Sequence, residues 1–410
     1  MMEAQVIATN IVKKLAAAGF TAYFAGGWVR DYIMGHPSDD IDIATNAPPN
    51  VILDLFPRTI LVGLAFGIVV VVVDGHQFEV ATFRRDIGYE GGRRPTQIEL
   101  ATPEEDASRR DFTINGMFYD PIEGAFHDFV HGKEDITRRL IRAIGDPFER
   151  FVEDRLRMIR AVRFAARFDF IIDEDTQEAI RASADTLFPA VAMERVWQEF
   201  CKMANYPGLE KALIDMHRLG LLSIIFPALT GVHLNEIRKR VESFVHYPKN
   251  VPTIWYLLAL FPEASRNEAV DLCRYLRTSV ADTNLAEYLV QIRNAVRQDQ
   301  INGSANLVAW THLYAHPEAR SGIEAIAAYL EDKQSFMAIH AGRMQKLEKH
   351  IMRVINKKPL VNAALLQQKG IVPGKLMGVL LKEAESIAIL HDLNSAEDVL
   401  GKLNITHKFF

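Results

Sequence analysis

Apolar residues recur at intervals of three and four along residues 3–19, which predicts an amphipathic helix near the start of the chain. The recurring positions are Val6, Ile7, Ile11, Val12, Leu15 and Ala16. Gly19 follows them as a candidate C-cap, because glycine readily adopts the left-handed conformation that ends many helices. The pattern changes after this point, and β-branched runs replace the helical period. They predict strands at about 21–25 and 39–44, a short helix at 51–56, and a hairpin formed by 67–73 and 77–83.

Beyond about residue 147 the period of the apolar positions is helical throughout. This change marks a domain boundary near Gly145-Asp146-Pro147. From about residue 206 onward, one amphipathic helix follows another, separated by proline and glycine breaks. The pattern therefore predicts an α+β protein, with a mixed sheet and helices at the N-terminus followed by an all-helical region.

Charge and composition narrow the class of protein. The chain has 410 residues and a net charge of −5, so it is not a basic nucleic-acid coat protein. Residues 138–167 nevertheless contain nine arginines against four acidic residues, which makes this segment locally basic. The two cysteines, Cys201 and Cys273, have no partners at metal spacing. No signal peptide is evident and no apolar run is long enough to span a bilayer, so we expect a cytoplasmic protein.

Two features of the stretch 24–45 have the chemistry of a phosphate site. Gly26 and Gly27 precede residues that read as the first turns of a helix, where backbone N–H groups favour an anion. Asp40 and Asp42 are two residues apart in a predicted strand, so both carboxylates point to one side. Such a pair is either a solvated strand end or a site for a hard cation such as Mg²⁺.

The stretch 26–45, G-G-W-V-R-D-Y-I-M-G-H-P-S-D-D-I-D-I-A-T, resembles the signature of the class II nucleotidyltransferases. This family includes the tRNA CCA-adding enzymes and the bacterial poly(A) polymerases. The resemblance implies that Asp40, Asp42 and Glu79 are catalytic, that Asp40 and Asp42 bind the metal, and that Mg²⁺ is the cofactor. Glu79 is otherwise an ordinary outward-facing strand residue. The resemblance also implies a flexible loop at 84–95 that helps one site to change its base preference.

Two further segments match nucleotide-binding motifs of this family. Residues 109–117 read R-R-D-F-T-I-N-G-M, and residues 153–164 read E-D-R-L-R-M-I-R-A-V-R-F. The nucleotide-binding residues that the resemblance implies are Gly26, Gly27, Arg30, Arg110, Asp111, Asn115, Asp154, Arg157, Arg160 and Arg163. Arg109 is an alternative to Arg110 for a phosphate or sugar contact.

Asp154 and Arg157 are expected to choose the base. Both lie at i and i+3 of a predicted helix, where they could instead form an ordinary stabilising ion pair. As a template, Asp154 would accept a hydrogen bond from the amino group of cytosine or adenine, and Arg157 would donate to the base. Uracil and guanine present a carbonyl where the carboxylate needs a donor. Glu194 and Arg195 are interpreted as scaffolding for this helix.

The resemblance extends over the whole chain and implies four domains. These are a catalytic head at 1–147, a helical neck at 148–205, a helical body at 206–330, and a tRNA-binding tail at 331–410. A basic face in the tail is a candidate RNA contact or an ordinary solvated helix face. It comprises Arg343, Lys346, Lys349, Arg353, Lys357 and Lys358.

The expected function is template-independent addition of CCA to the 3′ end of tRNA, with CTP and ATP as donors and pyrophosphate released. The expected partners are tRNA, CTP and ATP, with no membrane and no DNA, and the protein is expected to be a monomer or homodimer. Three alternatives stay open: poly(A) polymerase, an A-adding enzyme that needs a CC-adding partner, and a non-catalytic RNA-binding relative. Residues 62–67, V-G-L-A-F-G, favour the CCA-adding form over the polymerase.

Overall fold

The structure is a computed structural model that describes residues 2–36, 38–61, 67–90 and 94–403. The chain divides into two compact units, Met1–Arg238 and Lys239–Phe410. The first contains the strands that the structure describes, together with helices, and the second is helical. This arrangement confirms the α+β expectation.

The strands of the first unit are β1 (Ala22–Ala25), β2 (Asp42–Thr45), β3 (Thr59–Ile60), β4 (Ile68–Val73), β5 (His76–Thr82), β6 (Arg84–Glu90), β7 (Arg94–Leu100), β8 (Phe118–Asp120), β9 (Ala125–His127), β10 (Leu140–Ile141) and β11 (Ile171–Ile172). Its helices are α1 (Met2–Ala17), α2 (Gly27–Ile33), α3 (Pro49–Leu55), α4 (Pro103–Ser108), α5 (Gly132–Arg138), α6 (Pro147–Glu153), α7 (Leu156–Phe168), α8 (Glu174–Ser183), α9 (Leu187–Ala190), α10 (Met193–Ala204), α11 (Leu209–Arg218), α12 (Leu221–Ile225) and α13 (Leu234–Val241), the last of which crosses the division. A 3₁₀ turn covers Thr113–Asn115.

A mixed seven-stranded sheet forms the centre of the first unit, in the order β3-β4-β5-β2-β1-β8-β9. β2 runs parallel to β5, whereas β1 pairs antiparallel with both β2 and β8. The predicted hairpin of residues 67–83 is confirmed as β4 and β5. The predicted N-terminal helix is confirmed as α1, whose apolar face packs into the core beside the sheet.

The strands β6 and β7 pair antiparallel as a second, separate two-stranded sheet. The sequence suggested a Gly-rich loop at 84–95, because charged residues and glycines predominate there. The backbone instead pairs in register from Arg84 with Leu100 to Glu90 with Arg94. Cross-strand hydrogen bonds and the Arg85–Glu99 ion pair, 2.8 Å, compensate for the weak strand preference of these residues.

The change from sheet to helix falls where the sequence placed it. Asp146 caps α6 by accepting from the N–H of Phe148 at 2.8 Å, and Pro147 is the first helical residue. α7 then packs against α10 and α11. Its apolar side, including Met158 and Val162, is buried as predicted. One exception to the helical period is β11, which pairs parallel with β10.

The second unit is built from helices. They are α14 (Thr253–Ala259), α15 (Arg266–Tyr275), α16 (Val280–Asn302), α17 (Leu307–Tyr314), α18 (Ala319–Ala327), α19 (Lys333–Ile355), α20 (Ala363–Gln368), α21 (Lys375–Leu390) and α22 (Ala396–Lys402). Ser265 and Ser279 each form a capping box, which fixes where α15 and α16 begin. Among the described residues, no helix has the length and apolar character needed to span a bilayer.

Candidate active site

The Gly26-Gly27 pair forms the sharp turn between β1 and α2. Gly26 is the N-cap residue and has a φ of 67°, a conformation that other residues adopt only with strain. A Cβ atom there would also lie 3.2 Å from Nη1 of Arg110. The N–H of Gly26 donates to the carbonyl of Met117 at 3.3 Å. Gly26 therefore contributes its conformation and small size to the site rather than a free N–H group.

Two acidic residues, Asp40 and Asp42, lie at the start of β2, and Glu79 lies on the neighbouring strand β5. Asp40 and Asp42 are exposed on either side of the buried Ile41, as the predicted strand alternation requires. Asp42 and Glu79 each precede a residue of the Ile43–Val80 pair between the parallel strands β2 and β5.

Desolvation and then the charges of Glu79 and Asp40 raise the pKa of Asp42 to about 7, and Arg110 opposes the rise. The negative charges of Glu79 and Asp40 therefore lie close enough to disfavour the ionised form of Asp42. The structure therefore brings Glu79 to the two aspartates, as the sequence comparison implied.

The buried carboxylate of Asp106, which the sequence analysis did not assign, holds the two arginines of the 109–117 motif. Asp106, on α4, accepts from Arg109 at 2.7 Å and from Arg110 at 3.0 Å. The guanidinium of Arg110 also lies over the ring of Phe118, 4.9 Å from its centroid. Asp106 therefore holds the guanidinium groups of both arginines in place. Capping of α4 by Thr102 places Asp106 there, and the acidic run after Thr102 was the only sequence signal.

Asp111, Asn115 and Arg30 form one hydrogen-bonded chain. Asn115 donates to Asp111 at 3.0 Å and accepts from Nη1 of Arg30 at 2.5 Å. Arg30 is almost fully buried, and it also donates to Asp31 at 2.8 Å and lies over the ring of Phe168. The resemblance implied that Arg30 is one of the nucleotide-binding residues. The structure shows that its guanidinium mainly organises the other residues of the site.

The pKa of Asp111 is shifted in the opposite direction to that of Asp42. Burial acts to raise its pKa, but the ion pair with Arg160 and the hydrogen bonds from Asn115 and Arg160 outweigh that effect and lower it to about 2. Both Nε and Nη2 of Arg160 donate to one oxygen of Asp111, at 2.9 and 2.6 Å. Asp111 is therefore ionised at neutral pH and can accept hydrogen bonds from a ribose.

The structure corrects the placement of Asp154 and Arg157 three residues apart on one helix, and it does not show the alternative ion pair between them. Asp154 lies outside both helices, in the turn between α6 and α7, with a φ of −148°. Its carboxylate accepts two hydrogen bonds from Arg195, at 3.2 and 2.7 Å. Arg157 instead donates to Glu153 at 2.5 Å and to the carbonyl of Arg109 at 3.1 Å. Each residue is thus held by other partners, and the scaffolding expected of Arg195 is confirmed.

Arg163 makes a buried ion pair that the sequence did not indicate. Its Nε donates to Glu199 on α10 at 2.6 Å, and Glu199 also pairs with Lys202 at 3.0 Å. The sequence placed Arg160 and Arg163 at the triphosphate or RNA backbone. Both face the same pocket, but each already neutralises a carboxylate.

These residues enclose a pocket of about 660 Å³ within the first unit. Seven arginines and five aspartates line it, so its lining has a net positive charge suited to a polyanion. With the exception of Glu79, all of the predicted site residues line this pocket. Lining residues that the sequence analysis did not assign are Trp28, Asp31, Ser38, Phe164, Arg167 and Tyr206. Trp28, Asp31, Ser38 and Phe164 lie within the motif stretches, whereas Arg167 and Tyr206 lie beyond them along the chain.

The basic face predicted in the tail is largely engaged within the protein. Arg343 pairs with Asp299 at 3.0 Å, and Lys349 pairs with Asp392 at 2.8 Å. Arg353 donates to the carbonyl of Leu393 at 3.0 Å. Residues 62–66 of the 62–67 motif and residues 91–93 of the predicted loop lie outside the described residues.

Within the described residues, no group of three or more protein side chains forms a ready metal site. Asp40 and Asp42 offer two carboxylates, and a hard divalent cation is often held by one or two carboxylates together with water and substrate phosphates. The crowding of negative charge at Asp42 is the observation that fits a cation there.

The sheet, the Gly-Gly turn and the clustered acids define a nucleotidyltransferase head. Residues 22–142 match the family described as Poly A polymerase head domain, and residues 169–231 match the probable RNA and SrmB-binding site of polymerase A. The CCA-adding enzyme of Lactobacillus helveticus is 40% identical, over 96% of this chain and 95% of that protein. The enzyme of Pediococcus pentosaceus is 31% identical, over 98% and 97%.

A solved structure shows the same fold. The crystal structure of the Bacillus stearothermophilus CCA-adding enzyme in complex with CTP matches with a TM-score of 0.72 and 26% identity, covering 96% of each chain. The chain belongs to the family of CCA-adding enzymes, which are tRNA nucleotidyltransferases. Enzymes of this family generally use a divalent metal ion.

Proposed function

We propose that this chain adds cytidine, cytidine and adenosine to the 3′ end of tRNA, using CTP and ATP in one pocket. The supporting observation is that a single pocket contains both the aspartates of the predicted metal site and two separately anchored groups, Asp154 and Arg157. The aspartates can hold a metal ion that binds a triphosphate, and Asp154 with Arg157 can form hydrogen bonds to a base.

The phosphates and the sugar would lie against the positively charged wall. The guanidinium of Arg110 lies beside the Gly26 turn, and its positive charge acts to lower the pKa of Asp42. Arg110 is therefore suited to bind a phosphate oxygen. Asp111, ionised and still able to accept, is suited to a ribose hydroxyl. Arg30, Arg160 and Arg163 hold this wall in place through their carboxylate and amide partners and add to its positive charge.

Base choice would come from Asp154 and Arg157. The two hydrogen bonds from Arg195 fix the orientation of the Asp154 carboxylate, which would accept a hydrogen bond from the amino group of cytosine or adenine. Arg157 is fixed by Glu153 and is a pure donor. A carbonyl facing Asp154 would place two acceptors together in a partly buried site, and this mismatch disfavours uracil and guanine.

Asp40 and Asp42, with Glu79 beside them, would hold Mg²⁺. When bound, this ion lowers the pKa of the attacking 3′ hydroxyl and neutralises charge on the leaving pyrophosphate. The residues of the chain bind and orient the nucleotide, and the arginine wall stabilises the charge that develops on the phosphates.

We also propose the four-part organisation into head 1–147, neck 148–205, body 206–330 and tail 331–410. The supporting observations are the cap at Asp146, where α6 begins, and the position of Asp154 and Arg157 just beyond it. The tail would bind tRNA.

The test is an incorporation assay with Mg²⁺ and three tRNAs, ending before CCA, after CC, and after CCA. Each tRNA receives CTP, ATP or both, and product lengths are read to one nucleotide. Addition of C, C and A followed by a stop supports the proposal. Activity only on the CC-ended tRNA identifies an A-adding enzyme, and long adenosine tails identify a poly(A) polymerase. Absence of any transfer, with tRNA binding retained, indicates a non-catalytic relative.

A further inference from the structure

A second cavity lies entirely within the helical unit Lys239–Phe410. Its volume is about 300 Å³, at the lower end of the range for small-molecule sites. Side chains of α14, α16 and α18 form its walls. The apolar ones are Trp255, Leu258, Ala259, Leu289, Val290, Val296, Ala325, Ile326 and Leu330. None of the residues that we place in the nucleotide pocket belongs to this cavity.

Two arginines one turn apart on α16 supply the charged groups of this cavity, and Tyr247, Gln300 and Tyr329 are its other polar lining residues. Arg297 makes a two-pronged ion pair with Glu263, at 2.8 and 2.6 Å, so its charge is matched. Arg293 donates to the carbonyls of Phe261, at 3.3 Å, and Ala264. Arg293 forms no ion pair with a carboxylate among the described residues.

The charge of Arg293 is therefore incompletely compensated. Its Nε is buried and has no hydrogen-bond partner. Burial and the neighbouring Arg297 lower the pKa of Arg293, yet a guanidinium stays protonated at neutral pH. A buried charge is unfavourable unless a counter-charge or hydrogen bonds offset its desolvation. An anion in this cavity would offset it.

We propose that the cavity binds a small carboxylate with an unbranched apolar chain, of the class of medium-chain fatty acids. The carboxylate would pair with Arg293, and the alkyl chain would lie between Trp255 and Ile326. The walls favour this class over nucleotides and free phosphates, whose polar surface would be left without partners against aliphatic side chains. In the described structure the two arginines also contact three carbonyls and one carboxylate. Arg293 donates to Phe261 and Ala264, and Arg297 donates to Pro262 and Glu263.

The test compares octanoate with 1-octanol, which has the same chain and no charge. Binding to the full chain is measured by isothermal titration calorimetry below the micellar concentration, with thermal unfolding in parallel. We expect one octanoate per chain, bound at least tenfold more tightly than octanol. Arg293→Met keeps the apolar length of the side chain and should abolish this preference. Arg274→Met removes a solvent-exposed arginine of the same unit and should leave it unchanged.

A second variant tests the cavity itself. Ile326→Trp fills the space from α18 and should weaken both ligands at least tenfold. Octanoate binding no tighter than octanol, a stoichiometry above one, or binding unaffected by Ile326→Trp would overturn the proposal. Should circular dichroism show that Arg293→Met does not fold, the comparison of octanoate with octanol and the Ile326→Trp variant decide the question. The tRNA assay is not used, so failure here leaves the proposed transferase function untouched.

Discussion

Replacing Arg195 by methionine should make this enzyme less selective for its base. Arg195 holds the Asp154 carboxylate with two hydrogen bonds, at 3.2 and 2.7 Å, although it lies 41 residues away along the chain. Both side chains are less than one fifth exposed. Methionine retains most of the apolar stem but cannot donate, so Asp154 becomes free to rotate.

The structure sets the size of the expected effect. Hydrogen bonds to charged groups contribute about 1.5–3 kcal/mol when a partner is partly buried. If about half of this energy serves to orient Asp154, selectivity for CTP over UTP should fall about tenfold, since about 1.4 kcal/mol corresponds to one factor of ten. The loss should appear in the ratio of kcat/KM values, because Arg195 acts through Asp154 and not on the phosphates.

The assay is single-nucleotide incorporation into tRNA that ends before CCA, with each of the four nucleotides supplied separately. Arg138→Met is the matched control, because Arg138 forms an exposed ion pair with Glu134 on α5. Unchanged selectivity in a correctly folded Arg195→Met variant would refute the argument that Arg195 orients Asp154. An equal loss for all four nucleotides would also refute it.

Three further outcomes are expected. Asp42→Asn should lower incorporation at least about a hundredfold while tRNA binding in a gel-shift assay stays within about twofold, and residual activity near that of the parent would contradict the metal assignment. Gly26→Ala should destabilise the protein by about 1–2 kcal/mol in urea unfolding, because alanine is strained at this φ. It should also raise KM for CTP, because the new methyl group meets Arg110. Gly19→Ala is the control for the contact with Arg110, since Gly19 has a positive φ but open space around it. The lowered pKa of Asp111, about 2 against 3.8, means that its contribution to stability is present above pH 4 and is lost as the pH falls toward 2. Asp111→Asn should therefore cost about 2 kcal/mol at pH 6 and less at pH 3, and a pH-independent difference would be inconsistent with this reasoning.

The metal and template motifs could be located from the sequence because each is a short, contiguous string. A spacing of two in a predicted strand suggested that Asp40 and Asp42 point to one side. The strand β2 begins only at Asp42, yet both carboxylates line the same pocket. Gly26 is required by local backbone geometry, and this too can be read locally. The boundary at Asp146-Pro147 was predictable for the same reason, since a capping residue followed by proline is a local signal.

The partners of those residues could not be predicted in the same way. Asp154 and Arg157 were interpreted as a possible pair because they are three residues apart, yet the helix begins only at Leu156 and each residue binds elsewhere. The pairing of β6 with β7 was missed because the residues of both strands have weak strand preference. Propensity describes each residue alone, whereas pairing depends on the chain that lies opposite.

The sequence by itself predicted the class of chemistry, the order of sheet and helix, and the residues that we propose to carry the reaction. The tertiary structure decided how those residues are held. Asp106 behind two arginines, Glu199 beneath Arg163 and Arg195 around Asp154 are contacts between distant segments. The physical reason is that the ionisation and orientation of a charged group depend on the charges and protein atoms packed around it, and packing exists only after the chain has folded.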